Sequence, residues 1–357
     1  MSDDMKLMKG NEAIGEAAIR AGCKAYFGYP ITPQNELTAY MATWMFPKGR
    51  TFIQAESEVS AINMVYGAAA TGARAMTSSS SPGISLKQEG ISYLCGADLP
   101  AVIVNIQRSG PGLGGISPSQ ADYFQSTRGG GHGDYYTIVL APKGVQDAAD
   151  LTYEAFEISD RYRIPVLVLA DGLIGQMMEG VILPKPIDPE SLPRKPWAAG
   201  GQEGTNRGPN HVTSINLVPE ELEASVIARF KRYEQVKKEL CRYEEVQVED
   251  ADLILVAYGT SARVSLEALH AARKSGFKVG LFRPITLWPF PYERLSALAQ
   301  KGKRFLAVEM SMGQMVEDVR LGVNGQSSVD FFGRTGGMIP DDEEVLAAIR
   351  RSLAAKA

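Results

Sequence analysis

A carboxylate, Glu58, ends an extended apolar stretch and is followed by Ala61, Gly67, Ala68, Ala69, Ala70 and Gly72. Alanine and glycine at that density let a helix lie very close to another backbone. A carboxylate at such a seam is poorly hydrated, and poorly hydrated carboxylates are the ones that act as acids or bases. A purely structural role is also open, because an acid suits the positive end of a helix. Glu56 is its nearby rival. Thr32 stands between Pro30 and Pro33 in YPITP. Two prolines fix the backbone and hold that hydroxyl in one place, which suits contact with a small polar ligand. The bland alternative is a plain helix start, a turn with Pro33 at the first helical position. The run SSSSPG, residues 78–83, offers hydroxyls and N–H groups as an anion or amide cradle. Taken alone, that loop reads as a flexible surface turn. Arg108 follows the apolar run AVIVNIQ and presents a rigid fork that can grip a carboxylate with two hydrogen bonds.

The glycines after Arg108 match G-x-G-x-x-G at Gly110, Gly112 and Gly115. A dinucleotide site there is disfavoured. The preceding strand is the fourth rather than the first, Pro111 stiffens the turn, and no helix begins directly at the last glycine. Asp134, at the offset expected of a ribose-binding acid, follows GGGHG instead of ending a second strand.

These groups must be held by the elements around them. Ala25–Gly28, Thr51–Gln54, Ala75–Ser78, Ala101–Gln107, Thr137–Ala141 and Val166–Ala170 read as buried strands with helices between them. That alternation predicts a parallel sheet covered on both faces. Residues 185–218 change character, with prolines, glycines and polar residues, and read as a linker or extended arm. Pro219 to Val246 reads as one amphipathic helix, with Leu222, Val226, Phe230, Tyr233, Val236 and Leu240 on a stripe. A second α/β pattern begins at Asp252: LILVAYG, FKVGLFRP and RFLAVEM are its strands, with helices from Ser261 and Tyr292.

Composition narrows the function classes. A chain of 357 residues is most simply two domains, each with its own core. A net charge of −4 argues against nucleic acid as a partner. No apolar run reaches membrane-spanning length, and MSDDMKLMKG reads as acidic and polar rather than as a signal peptide. Cys23, Cys95 and Cys241 stand far apart, so the expectation is reduced thiols in a cytosol, with neither a disulfide framework nor an iron–sulfur cluster held by this chain alone. His132, His211 and His270 are too scattered for a zinc site. Any metal or redox centre must be borrowed.

Assembled in order, YPITP, AESEVSAINMVYGAAATGARAMTSSSSPGISL, the strand ending in QRSGPG, and GGGHGDYYTIVLAP resemble the α subunit of 2-oxoacid:ferredoxin oxidoreductases. VAYGTSARV, KVGLFRPITLWPFP and FLAVEMSMGQM are similar to that subunit's transketolase-C-like domain. The resemblance covers nearly the whole chain. It is nearest to the 2-oxoisovalerate, branched-chain type, with the 2-oxoglutarate type next.

The resemblance implies an α/β protein with two parallel-sheet domains: a thiamine-diphosphate pyrimidine-binding domain over residues 1–185, a linker arm and helix over 186–247, and a transketolase-C-like domain over 248–357. It implies oxidative decarboxylation of a 2-oxoacid to acyl-CoA and CO₂, with coenzyme A as co-substrate and ferredoxin as electron acceptor. Glu58 matches the glutamate that bonds N1′ of the cofactor's pyrimidine, and so favours its imino form. Pro30, Ile31, Ser80 and Pro82 fall with Glu58 on the cofactor side; Thr32 and Arg108 match the positions that receive the substrate's carboxylate and carbonyl end. No metal ligand is expected in this chain, which lacks both a G-D-G magnesium motif and clustered cysteines. A β subunit is expected to carry the diphosphate side with Mg²⁺ and a [4Fe–4S] cluster, beside γ and ferredoxin-like δ subunits. The setting is cytoplasmic, anaerobic metabolism. A non-redox thiamine-dependent 2-oxoacid decarboxylase subunit is the other reading.

Overall fold

The computed structural model describes residues 5–200 and 209–354; the segment 201–208, part of the expected arm, lies outside the described residues. Along the first half run β1 (Met5–Lys9), α1 (Gly10–Arg20), β2 (Ala25–Gly28), α2 (Asn35–Trp44), β3 (Thr51–Gln54), α3 (Glu58–Ala70), β4 (Ala75–Ser79) and α4 (Ser81–Gly96). Then come β5 (Val102–Gln107), α5 (Tyr123–Thr127), β6 (Ile138–Leu140), α6 (Val145–Tyr162), β7 (Val166–Asp171), α7 (Gly172–Gln176) and β8 (Met178–Ile182). The second half holds α8 (Pro219–Leu240), β9 (Tyr243–Val246), β10 (Leu253–Val256), α9 (Gly259–Lys274), β11 (Val279–Pro284), β12 (Thr286–Trp288) and α10 (Tyr292–Gln300). It closes with β13 (Arg304–Glu309), α11 (Met315–Val323), β14 (Val329–Gly333) and α12 (Asp342–Ala354).

The protein is α/β, with two largely parallel sheets. The first has seven strands in the order β12-β6-β7-β5-β4-β2-β3, the second five in the order β14-β13-β10-β11-β9. β12 and β9 are the antiparallel members, and β1 pairs with β8 in a separate ribbon. In the first sheet β4, β5 and β7 are buried along their whole length, as continuous apolar runs covered by helices on both faces should be. β2 is followed by β3 on one side, and the chain then crosses back to β4 on the other. The crevice outside the carboxyl ends of β2 and β4 is therefore a topological switch point, where open α/β sheets bind ligands.

Three expectations need correcting. β3, expected to be buried, is an exposed edge strand: it pairs only with β2, and Ile53 is 41% exposed. The helix expected over Pro219 to Val246 stops at Leu240, and Tyr243–Val246 pairs antiparallel with β11. Ladder bonds and the ion pairs of Glu244 with Arg283 and Glu245 with Arg294 favour the strand there. The second sheet thus begins before residue 248. Of the apolar stripe on α8, Tyr233 and Val236 are buried, whereas Leu222 is exposed, because only the carboxyl half of that helix packs on the body.

β12 carries a segment of the second half into the first sheet, so the two halves are clamped by backbone pairing as well as by side chains. Gln120 adds to the clamp: its amide donates to the Tyr258 carbonyl at 2.8 Å and accepts from Ser261 Oγ at 2.7 Å and the Met310 N–H at 3.0 Å.

Candidate active site

Glu58 is the first residue of α3. Ser57 caps that helix by accepting from the Ser60 N–H at 3.2 Å, so the carboxylate sits on the first turn, where the backbone dipole favours an anion. Glu58 is 6% exposed and accepts no hydrogen bond from the described residues. What brings it so close to the neighbouring helix is a glycine on α4. A Cβ at Gly83 would lie 2.7 Å from Glu58 Oε1, and closer still to Ser79 Oγ. Further along, a Cβ at Gly90 would meet Ile62 Cγ2 at 2.5 Å. The close approach of α3 to α4 therefore depends on α4's glycines. Gly67, on α3 itself, faces open space and is exposed.

Glu56 lies outside this seam. It is exposed and accepts from Ser60 Oγ at 2.5 Å; that bond and one from Ser57 hold its carboxyl below the usual range. Two residues in sequence separate a solvated acid from a buried one, because the helix begins between them.

The run SSSSPG is not a flexible surface turn. Ser78, Ser79 and Ser80 are buried, Ser80 is the cap position of α4, and Pro82 sits in the first turn, where a missing N–H costs nothing. Ser78 Oγ bonds Tyr26 OH and Gln34 Oε1, both at 2.6 Å. Ser81 Oγ donates to Asp122 Oδ2 at 2.6 Å and accepts from the Arg108 N–H at 3.0 Å. Burial raises the Asp122 carboxyl, and its bonds from Ser81 and Asn105 pull it back. Ser79 Oγ and Ser80 Oγ are buried without any partner.

Arg108 and Thr32 are brought together, although not through the groups expected to meet a ligand. Arg108 is 7% exposed; Nη1 donates to the Thr32 carbonyl at 3.0 Å, Nη2 to the Leu113 carbonyl at 3.3 Å, and Nε has no partner. The Thr32 hydroxyl accepts from Asn35 Nδ2 at 3.1 Å. Ile31 is half-buried and Pro30 exposed beside it. Thr32, Ser80 and Arg108 thus follow β2, β4 and β5 at one end of the sheet, with Glu58 at the same end on α3. No hydrogen bond or ion pair joins Glu58 to Thr32 or Arg108 among the described residues. The loop from Gly110 to Gly115 folds back on Ser109 instead of opening a helix, so it lacks the helix terminus that a dinucleotide's pyrophosphate needs.

One residue escaped the sequence reading. Lys87 is fully buried on α4, its ammonium has no hydrogen-bond partner, and burial pushes it down to about 8, with the charge of Glu58 opposing the shift. The signal was present: Gly83, Lys87 and Gly90 share one face of a helix. Burial also pushes the Cys23 thiol up to about 12 and raises Cys95 and Cys241, so all three are held as thiols. No group of metal-ligating side chains occurs among the described residues.

Known proteins share this architecture. The profile of the family "pyruvate flavodoxin/ferredoxin oxidoreductase, thiamine diphosphate-binding" matches residues 16–252, and that of "pyruvate:ferredoxin oxidoreductase core domain II" matches residues 251–345. The ketoisovalerate oxidoreductase subunit VorB of Methanothermobacter marburgensis is 52% identical over 97% of both chains. The 2-oxoglutarate synthase subunit KorA of the same organism is 34% identical, covering 96% of this chain and 97% of that one. Among solved structures, 2-oxoglutarate:ferredoxin oxidoreductase from Magnetococcus marinus, with 2-oxoglutarate, coenzyme A and succinyl-CoA bound, superposes with a TM-score of 0.86 at 27% identity. The match spans 98% of this chain and 65% of that longer one. A split-gene transketolase matches with a TM-score of 0.61 at 15% identity over 98% of this chain and all of its own, which speaks for the fold alone.

Proposed function

Because the chain belongs to the pyruvate flavodoxin/ferredoxin oxidoreductase family, as an α-type subunit of a 2-oxoacid:ferredoxin oxidoreductase, we propose that its complex acts on a branched-chain 2-oxoacid such as 2-oxoisovalerate. The observation that carries this is the 52% identity to a ketoisovalerate oxidoreductase subunit, against 34% to a 2-oxoglutarate synthase subunit over nearly the same extent. The reaction breaks the bond between C1 and C2 of the 2-oxoacid and releases C1 as CO₂. A thioester forms to coenzyme A, and the electron pair left behind passes to ferredoxin.

The pyrimidine side of thiamine diphosphate suits the groups at the carboxyl ends of β2 and β4. An aminopyrimidine offers both N–H donors and ring-nitrogen acceptors. Facing it would be a buried carboxylate that accepts nothing, Glu58, and two buried hydroxyls without partners, on Ser79 and Ser80. Pro30, Ile31 and Pro82 would flank it. When bound, the cofactor supplies the electron sink that decarboxylation requires. Glu58, nearly buried beside Gly83, would hold and return a proton at the ring nitrogen. Arg108, with Nε free and a long bond to Leu113 that can be exchanged, would orient the substrate carboxylate, and Thr32 would stand beside it.

In this reading residues 1–185 form the pyrimidine-binding domain, and the transketolase-C-like domain extends from Tyr243 onward. A β subunit would bring the diphosphate side with Mg²⁺ and a [4Fe–4S] cluster, γ and δ subunits would complete a cytoplasmic complex, and coenzyme A would be the acyl acceptor. The test is to co-express the chain with those subunits and follow viologen-dye reduction with 2-oxoisovalerate, 2-oxoglutarate and pyruvate in parallel. Coenzyme A-dependent reduction that is fastest with 2-oxoisovalerate is the expected result. Preference for 2-oxoglutarate would overturn the substrate, and CO₂ release without dye reduction would favour a non-redox decarboxylase.

A further inference from the structure

We propose that Lys87 is a positioning residue for Glu58: a buried counter-charge, carried by α4 across its seam with α3, that keeps the carboxylate ready to exchange a proton. The inference rests on the assignment of Glu58 above and deepens it. Two close contacts bracket the lysine. Gly83, one turn before Lys87, packs on Glu58, and Gly90, one turn after it, packs on Ile62. Glu58 and Ile62 are themselves one turn apart on α3. Lys87 therefore lies in the tightest part of the seam, and a side chain leaving a helix leans toward its amino-terminal end, here toward Glu58.

Its ammonium is fully buried and bonds nothing, so it contributes no structural link of its own. Burying an ammonium that makes no hydrogen bond is costly, and methionine would fill the same volume without that cost. A lysine kept in such a place acts through its charge. The group that receives the charge is identified by elimination among the elements packed around α4. From α3, Glu58 is the buried acid, packed against Gly83 one turn before Lys87. From the β5 side, Arg108 and Asp122 are bonded to Ser81 at the start of α4. From the loop after α5, His132 packs edge-on against Tyr93, and Tyr135 accepts from the Gly131 N–H. Arg229 of α8 bonds Asp98 and the Gly96 carbonyl at the far end. On α4 itself, Glu89 is exposed and bonds Tyr93 OH.

The pairing has a signature that needs no cofactor. The ordinary lysine value of 10.5 falls to about 8 in the folded chain. Between those values the unfolded chain holds one more proton than the folded one, so this group makes stability rise with pH across that window. Thermal unfolding of the full chain from neutral pH to about pH 10 should show that rise. Lys87→Met should lack it and melt higher at neutral pH, and Lys87→Gln should also lack it. In Glu58→Gln the opposing carboxylate is gone, so the rise should begin at lower pH. If the onset is the same in Glu58→Gln and the unmodified chain, the pairing is overturned, whatever the cofactor.

The functional half is read in the co-expressed complex. Lys87→Met should move the acid limb of the pH profile of kcat/KM to higher pH by roughly one unit, the usual effect of one nearby charge. Lys87→Gln should do the same. A residue with only a packing role would lower the amount of folded enzyme and leave the limb in place. That outcome would overturn the role in catalysis. Failure of the unmodified complex to retain thiamine diphosphate would instead overturn the reading of Glu58 on which the proposal stands.

Discussion

Glu309 and Glu58 are both buried carboxylates, and their surroundings could hardly differ more. At the end of β13, Glu309 accepts from the backbone N–H groups of Gln314, Met315 and Val316 and from Ser311 Oγ, all within 3.1 Å. Burial raises its carboxyl, and those four bonds pull it back. Nearby, Asp171 accepts from Thr260 Oγ1 at 2.6 Å, and Asp318 receives Tyr123 OH at 2.6 Å, Arg128 at 3.0 Å and Tyr292 OH. At the carboxyl ends of β2, β4 and β5 the pattern is reversed: Glu58 accepts nothing, and Ser79 Oγ, Ser80 Oγ, Lys87 Nζ and Arg108 Nε lack partners. Saturated acids stand where the halves meet, although Arg242 and Arg283, which bond across from the second half to the first, keep unpartnered nitrogens. Several unsaturated groups gathered at one end of the sheet are what a site looks like before its ligand is counted.

The contrast can be broken from either side. Glu58→Gln should be the most damaging substitution for turnover, with a loss of about 10²- to 10⁴-fold as expected for removal of a positioned acid–base group. Its melting temperature at neutral pH should fall modestly, because the buried Lys87 ammonium loses the opposing carboxylate although no hydrogen bond is lost. Steady-state rates and a melt on the same preparation check both halves. Glu309→Ala should do the opposite. Leaving buried N–H groups unpaired at the start of α11 should cost about 3 kcal/mol in denaturant titration, while the KM of whatever enzyme remains folded is unchanged.

Arg108→Ala tests whether the free Nε marks the carboxylate site. The KM for the 2-oxoacid should rise roughly ten- to a hundredfold, about 1.5–3 kcal/mol for a charge-assisted contact. The coenzyme A dependence should be unaltered, and Thr32→Val should show a weaker effect of the same kind. A normal 2-oxoacid KM in Arg108→Ala would move that site elsewhere. The smallest effect belongs to Glu56→Gln, which should leave rate and melting temperature nearly unchanged, as at most solvated positions. A large loss there would exchange the roles of the two acids.

How much of this was legible beforehand differs by element. The strands that end at Gly28, Ser79 and Gln107 could be read from their apolar runs, and the chemistry-bearing residues from the loop after each run. The family could be read from the order of those loops, and the profile matches and close relatives agree with it. Other features were not legible. YEEV after α8 carries no strong strand pattern and becomes β9 because β11 offers it a ladder. β12 is a three-residue strand that exists only because β6 presents an open edge.

Sequence alone determined which residues bear charge, hydroxyl or fork, and where the chain turns from strand to loop, because backbone preference and side-chain chemistry are local. Only the tertiary structure decided that Glu58 is buried while Glu56 is not, that Ser78, Ser79 and Ser80 lie inside rather than out, and that Lys87 lies in a seam with no partner. Burial is a property of the surface that comes to lie opposite a residue, and for Lys87 that surface is a helix whose contact points on α3 lie more than twenty residues away along the chain.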